Sequence, residues 1–327
     1  MPSAIELRGL TKTFGATVAV RDLDLTVPAG ALYGVIGPNG AGKTTTIRMI
    51  LSILLPDRGE LNVLGRKSAL EAKDRIGYLP EERGLYKKMK VGAFLAYMAQ
   101  LKGDTGGDLK QRVRGWLDRV GLLDTEQKRC EELSKGMQQK VQLLAAIIHK
   151  PDLIILDEPF SGLDPVNQRL MRDLVRGEHD RGATILFSTH IMLHAEQLCD
   201  HIVMIHRGNK VLDDSMAGIR AKFDPRSLLF EPFVPDADVS ALRSVPGVAQ
   251  VKRDGASWEL ALAAGADPAT VIQRVAAAVP PSRIEVRRPT LDDVFVSIVA
   301  ADAEGDDAAA LRAAVRESAH GENGGRS

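Results

Sequence analysis

Gly37-Pro38-Asn39-Gly40-Ala41-Gly42-Lys43-Thr44-Thr45 follows the apolar run Leu32-Tyr33-Gly34-Val35-Ile36. A strand that enters a glycine-rich turn and leaves it as a helix lets backbone N–H groups converge on phosphate oxygens at the positive end of that helix. Gly37, Gly40 and Gly42 permit the turn, and Pro38, Asn39 and Ala41 complete the cradle. Lys43 is placed to reach terminal phosphates, Thr44 to set its hydroxyl on Mg²⁺, and Thr45 to donate to a nearer phosphate. A turn that merely capped a helix would need neither the lysine nor the paired hydroxyls, so the stretch is a phosphate loop and the fold built around it is α/β.

The surroundings support that reading. From Ile5 to Ile36 the pattern is β-rich: Ile5-Glu6-Leu7-Arg8 and Asp22 to Val27 alternate apolar and polar residues, punctuated by Gly15 and Pro28-Ala29-Gly30. This predicts an antiparallel sheet ahead of the loop. Phe14 stands between these strands, where its ring can stack on a nucleobase or fill a core. A helix is expected over Thr44 to Leu55, ended by Pro56 and Gly59. Val91 to Leu133 is helical in character, with Phe94, Leu95, Met98 and Leu101 on one face and Val113, Trp116, Leu117 and Val120 on another.

Leu153-Ile154-Ile155-Leu156 is an unbroken apolar strand, as suits a parallel strand buried on both faces, and it ends in Asp157-Glu158-Pro159. Asp157 can continue the Mg²⁺ shell that Thr44 begins, and Glu158 can orient or deprotonate an attacking water. Thr184 to Phe187 and Ile202 to Ile205 are further strands, with a helix from about Asn167 to His179 between the second carboxylate and the first of them. His190, just past a strand, can contact a γ-phosphate. Strands alternating with helices and ending in polar residues gather chemistry at their carboxyl ends.

The 327 residues suffice for one large domain and a smaller one. Lysine plus arginine and aspartate plus glutamate are both 43, so no basic field invites nucleic acid and none is expected as a partner. Cys130 and Cys199 lack metal-ligand spacing and fit a reducing compartment. The N-terminus has no secretory pattern, and the longest apolar runs fall far short of the roughly 20 residues that cross a bilayer. After about Phe223, prolines punctuate segments in the order strand, helix, strand, strand, helix, strand. That order predicts a ferredoxin-like α+β unit closed by a helix over Leu291 to Val299. From Ala301 the composition turns to alanine, aspartate, glycine and serine, which predicts a flexible tail with a transient helix around Ala308 to Arg316.

Taken in order, Gly37 to Thr45, Leu133-Ser134-Lys135-Gly136-Met137-Gln138-Gln139, Leu153 to Pro159, Ser161-Gly162-Leu163-Asp164 and Ser188-Thr189-His190 resemble the ATP-binding subunit of an ABC transporter. The resemblance covers about Ile5 to Lys222. It implies a P-loop NTPase of ABC type at 1–222, with a helical subdomain at about 88–135, an accessory domain at 223–300 and a tail at 301–327. It also implies ATP and Mg²⁺ as cofactors; Phe14 as the ring under adenine; Glu158, His190 and Lys43 as catalytic residues; and an Asp164-containing loop at the nucleotide. Ser134 caps a helix that begins near Gly136 and offers a hydroxyl and N–H groups to an anion. The resemblance implies that Ser134, Gly136 and Gln138 serve the nucleotide of a second copy in a head-to-tail dimer. A separate integral membrane permease is the implied partner, with the chain cytoplasmic on the inner face of the membrane.

Glu81 stands where that family commonly has a glutamine; a carboxylate there can ligate Mg²⁺, and it can equally be part of a solvated charge run, Glu81-Glu82-Arg83. Lys135 replaces the commonest glycine of the signature. The Glu81-to-Tyr86 loop, the Ser134-to-Met137 signature and the small C-terminal domain resemble the ATPases of two-component ABC-2 exporters for drugs and sodium. Three alternatives stay open on residues alone: an ABC ATPase acting mechanically on ribosome or DNA, an ATP-dependent regulatory switch, and a GTPase. For the last, Asn209-Lys210-Val211-Leu212-Asp213 superficially matches a guanine-reading motif, with its aspartate one residue late.

Overall fold

The computed structural model describes residues 2–82, 84–222, 227–235, 237–287 and 290–302. The chain divides into two compact units, Met1–Met216 and Ala217–Ser327. In the first, β1 (Ser3–Phe14), β2 (Thr17–Pro28) and, beyond the phosphate loop, β4 (Arg58–Val63) form an antiparallel sheet in the order β2-β1-β4. Burial alternates along β2 from Leu23 to Pro28, and β1 buries Ile5, Leu7 and Leu10, so the pair feeds the core. The strand β4 is not visible as a pattern in the sequence, because five of its six residues are only half-buried or exposed.

The central sheet runs β5-β6-β7-β3-β8-β9. Its members are β3 (Leu32–Ile36), β5 (Ile76–Leu79), β6 (Leu153–Asp157), β7 (Thr184–Thr189), β8 (His201–His206) and β9 (Asn209–Ser215). All neighbours are parallel except the last pair. β3, β6 and β7 are buried at every residue, as covering a parallel sheet on both faces requires. The register Ile36 opposite Thr189 and Asp157 opposite Ser188 brings three strand ends to one edge. One core, including Ile5, Leu23, Val35, Ile47, Ile155 and Val203, joins the two sheets.

Helix α1 (Lys43–Ile50) is shorter than its expected reach to Leu55. Ser52 takes the left-handed conformation, φ 55°. Ile53 N then donates to Arg48 O at 2.9 Å and Ser52 N to Met49 O at 2.9 Å. This is a Schellman stop that sequence rules seek at glycine. In the helical insertion, α2 (Val91–Leu101) and α3 (Leu109–Arg119) bury Phe94, Leu95, Val113 and Leu117 as expected. Leu101 does not pack: it is 52% exposed at the helix end. The next helix, α4 (Lys135–Ile147), starts one residue before the expected Gly136. After it come α5 (Pro165–Asp180) and α6 (Met192–Leu198).

The motif Asn209 to Asp213 is structural: it lies in β9, where Asp213 receives the hydroxyl of Tyr33, pairs with Lys210 at 2.8 Å and meets His201 Nε2 at 3.0 Å. None of these residues lines the phosphate cavity described below. Near the far end of α4, both ring nitrogens of His149 are shielded from solvent without a hydrogen-bond partner. Burial, reinforced by the Lys102 ammonium, pushes the ring down to about 4. The unfolded chain takes up that proton near pH 6.5, so stability is fully present above that pH and falls as pH drops toward 4, by about 3 kcal/mol in total. We expect His149→Leu to flatten the denaturation midpoint between pH 6.5 and 4.5; an unchanged slope would assign the acid sensitivity elsewhere.

The second unit starts with α7 (Met216–Lys222). Its sheet contains β10 (Ser227–Pro232), β11 (Val248–Asp254), β12 (Ser257–Leu262) and β13 (Pro281–Arg287) in the order β11-β12-β10-β13, antiparallel throughout. That is the ferredoxin-like order. Its core holds Leu228, Phe230, Leu242, Leu260, Val271 and Val275. The expected first helix, Val239 to Val245, is only a 3₁₀ turn, Ser240–Ser244, cut short by Pro246 and by Gly247 at φ 98°. In α8 (Pro268–Ala278), Asp267 caps by accepting from Thr270 N at 3.0 Å, with proline at the first position. The closing α9 runs Leu291–Asp302, past the expected Val299. The transient helix expected at Ala308 to Arg316 lies outside the described residues.

Candidate active site

The phosphate loop joins the centre of the sheet to α1, and steric limits decide its glycines. A Cβ on Gly37 would fall 2.1 Å from Ile205 O, and one on Gly42 2.4 Å from Ala19 O. Ala19 is the unpaired residue of a bulge in β2, since Lys12 pairs with Val20 and Thr13 with Val18. The bulge therefore sets a backbone carbonyl against the loop. Gly208 N also donates to Ala41 O at 2.9 Å, which ties the loop to the β8–β9 turn.

Lys43 Nζ is buried and rests on Gly37 O at 2.8 Å and Pro38 O at 3.1 Å, with Glu158 Oε1 at 4.0 Å. Burial lowers the Lys43 ammonium, and the carboxylates of Glu158, Asp157 and Glu81 oppose that shift. Thr44 Oγ1 lies 3.5 Å from Asp157 Oδ1, which also accepts the hydroxyl of Ser188. Asp157 Oδ2 is buried with no partner. Burial raises the Asp157 carboxyl, and the Ser188 and Thr44 hydroxyls hold it down in part.

A hydroxyl beside a carboxylate whose second oxygen is unsatisfied is a donor set that fits a hard divalent cation. Glu81 lines the same cavity, of about 320 Å³, with Asn39 to Thr45, Ala19 and Glu158.

Glu158 is fixed more tightly than any other carboxylate of the site. Its backbone takes φ 50°, a left-handed conformation unusual for a non-glycine residue. Oε1 accepts from His190 N at 2.8 Å and sits 2.8 Å from His190 Nδ1; Oε2 accepts from Thr189 Oγ1 at 3.1 Å. Glu158 N is in turn held by Ser188 O at 3.1 Å. Ser188 and Thr189 thus orient both adjacent acids. The sequence displayed their hydroxyls beside His190, but only the pairing of β6 with β7 reveals what they touch.

The remaining candidates do not line this cavity. Phe14 is 51% exposed rather than core. Ser134 is exposed and caps α4 through Met137 N at 3.3 Å. Gln138 spends its amide on Cys130 O and Leu133 O, each at 3.2 Å. Asp164 caps α5, accepting from Asn167 N at 2.9 Å and Asn167 Nδ2 at 2.6 Å, bonds that hold its carboxyl below the usual range. A Cβ on Gly136 would sit 3.5 Å from Leu163 Cδ2, so the signature turn and the Ser161-to-Asp164 loop are neighbours. Gln139 strengthens the link by donating to Pro159 O at 3.1 Å.

Comparison with known proteins agrees with this geometry. A family model described as ABC transporter matches residues 20–161, and one described as ATP-binding protein DrrA1-3-like, C-terminal domain, matches residues 215–299. An uncharacterized ABC transporter ATP-binding protein of Bacillus subtilis (strain 168), YhaQ, is 40% identical over 89% of this chain and 97% of its own length. The daunorubicin/doxorubicin resistance ATP-binding protein DrrA of Streptomyces peucetius is 33% identical over 90% of this chain and 92% of its own. The Nod factor export ATP-binding protein I of Rhizobium sp. (strain N33) is 33% identical over 92% and 98%. A solved structure of the ATP binding subunit of an ABC transporter superposes with a TM-score of 0.64 at 31% identity, covering 68% of this chain and 93% of that one.

Proposed function

This chain belongs to the ABC transporter ATP-binding proteins, and from that premise we propose that it hydrolyses ATP within a head-to-tail pair and thereby drives export through a separate integral membrane permease. The observation that carries the reading is the convergence of Lys43, Thr44, Asp157, Glu158 and His190 at one edge of the sheet. Two of the three Lys43 donors rest on the loop's own carbonyls, which centres the ammonium where the loop's N–H groups direct a phosphate. Thr44 and Asp157, with Glu81 in the wall of the cavity that Thr44 lines, would hold Mg²⁺. When bound, that ion neutralises charge on the β- and γ-phosphates.

Glu158, anchored at both oxygens, aligns the attacking water and takes its proton. With Nδ1 engaged on Glu158, the His190 ring has Nε2 left to address the γ-phosphate. Phe14 would take the nucleobase: its pair partner on the neighbouring strand, Thr17, is two residues, about 7 Å of strand, from Ala19 in the cavity wall.

The exposed cap at Ser134 and the adjacent Gly136 supply the second copy's nucleotide. Gln138 and Asp164 act more indirectly, by shaping the signature turn and the loop beside it. Among the described residues no helix is long and apolar enough to cross a membrane; the permease would carry the spans and hold this chain at the cytoplasmic face. Relatives named for drug resistance and Nod factor export favour the outward direction.

The test uses full-length chain in detergent. With ATP, the Glu158→Gln variant should double in mass on size exclusion and retain a protein with multiple hydrophobic spans, and adding Ser134→Arg should undo the doubling. A monomer in ATP, or retention of ribosomes or DNA instead, would overturn the reading.

A further inference from the structure

Asp57 lies outside the phosphate cavity and belongs to no motif, yet it makes three contacts with one short stretch of chain. Its Oδ1 receives Lys12 Nζ at 2.7 Å and its Oδ2 receives Thr13 N at 2.7 Å. Its own N–H donates to Thr11 O at 2.9 Å. Residues 11, 12 and 13 are thus held by a single side chain and its backbone, immediately before Phe14.

The Lys12 ammonium that Asp57 anchors stands 5.7 Å from the centroid of the Phe14 ring, within cation–π range. The ion pair also holds the Asp57 carboxyl below its usual range. We propose that Asp57 is a positioning residue for nucleotide binding: through Lys12 and Thr13 it fixes the Phe14 ring where a nucleobase stacks. The inference rests on the reading of Phe14 as the base-stacking ring.

Two features argue that this is more than a surface ion pair, which alone contributes little. The clamp acts where β1 and β2 lose register, between Lys12 and Thr13. A bulge frees local geometry, and an outside contact must then define it. Asp57 also terminates the loop that leaves α1, seven residues after Ile50. The same short segment therefore starts at the end of the helix whose first turn is proposed to meet the phosphates and ends hydrogen-bonded to the strand that carries the ring. One residue couples the two halves of a nucleotide site, the polyphosphate half and the base half.

The experiment measures Kd by calorimetry for ATP and for inorganic tripolyphosphate, which has the phosphates and no base. It uses the full chain in the slow-hydrolysing Glu158→Gln background. Asp57→Ala should raise the Kd for ATP about tenfold, the order expected for a displaced stacking ring, and leave that for tripolyphosphate unmoved. Asp57→Asn, which keeps an acceptor for Thr13 N, should fall between parent and alanine and carries the test if alanine fails to fold.

Phe14→Ala should weaken ATP alone, and adding Asp57→Ala to it should cost little more. If Phe14→Ala weakens ATP while the Asp57 variants leave it unchanged, or shift ATP and tripolyphosphate together, the positioning role is wrong and the stacking role stands. If Phe14→Ala leaves ATP affinity untouched, the stacking reading falls and the clamp's role falls with it.

Discussion

Glu158→Gln is expected to lower the steady-state ATPase rate at least about 100-fold at saturating ATP while leaving ATP affinity within about threefold of the parent. The amide has the shape of the carboxylate, and its oxygen can still accept from His190 N or Thr189 Oγ1, the two partners that hold Oε1 and Oε2. It cannot accept a proton from water at neutral pH, and general bases supply on the order of 10²–10⁴ in rate, about 3–5 kcal/mol of barrier. Affinity should survive because the phosphate contacts we propose come from the loop, Lys43 and Thr44, and Glu158 reaches Lys43 only at 4.0 Å. Phosphate release and nucleotide titration on the same preparation check both halves. A variant that turns over at the parental rate would remove Glu158 from the chemistry.

Much of this site is legible in one dimension because its signals are local. A strand, three glycines, a lysine and a threonine occupy consecutive positions, and an apolar strand ending in two acids is equally compact. What the sequence leaves hidden depends on lateral pairing. Ser188 and Thr189 bind Asp157 and Glu158 only because β7 lies beside β6 in one register, and parallel register has no turn to announce it. Ala19 enters the cavity wall through a bulge that no residue type marks. The helix α1 stops at Ile50 because Ser52 tolerates a conformation usually left to glycine, so the expected stop at Pro56 came too late. The C-terminal strand order was readable from segment order alone, whereas the collapse of its first helix to a 3₁₀ turn followed from a proline and glycine close behind a short segment.

The glycines of the loop are not equivalent, and their difference gives the second large effect. Gly42 takes φ 111° and ψ 1° as the cap of α1, and its carbonyl receives Thr46 N and Thr46 Oγ1, each at 2.9 Å. A Cβ there meets Ala19 O at 2.4 Å, a backbone atom in a bulge that the loop itself packs against. The Gly42 side cannot yield without moving the first turn of α1, which carries Lys43 and Thr44. Strain at such a conformation costs on the order of 1–3 kcal/mol before the clash is added. Gly42→Ala should therefore weaken ATP binding at least about 100-fold, since each 1.4 kcal/mol is about tenfold, and lower the denaturation midpoint. Gly40→Ala, at φ 77° with nothing within 4 Å of its Cβ, carries only the left-handed penalty of about 1–2 kcal/mol and should lose about tenfold or less. Titrating ATP into both variants decides between a loop limited by its conformation and one limited by what stands behind it. Equal losses at the two positions would mean that the Ala19 carbonyl does not constrain the site.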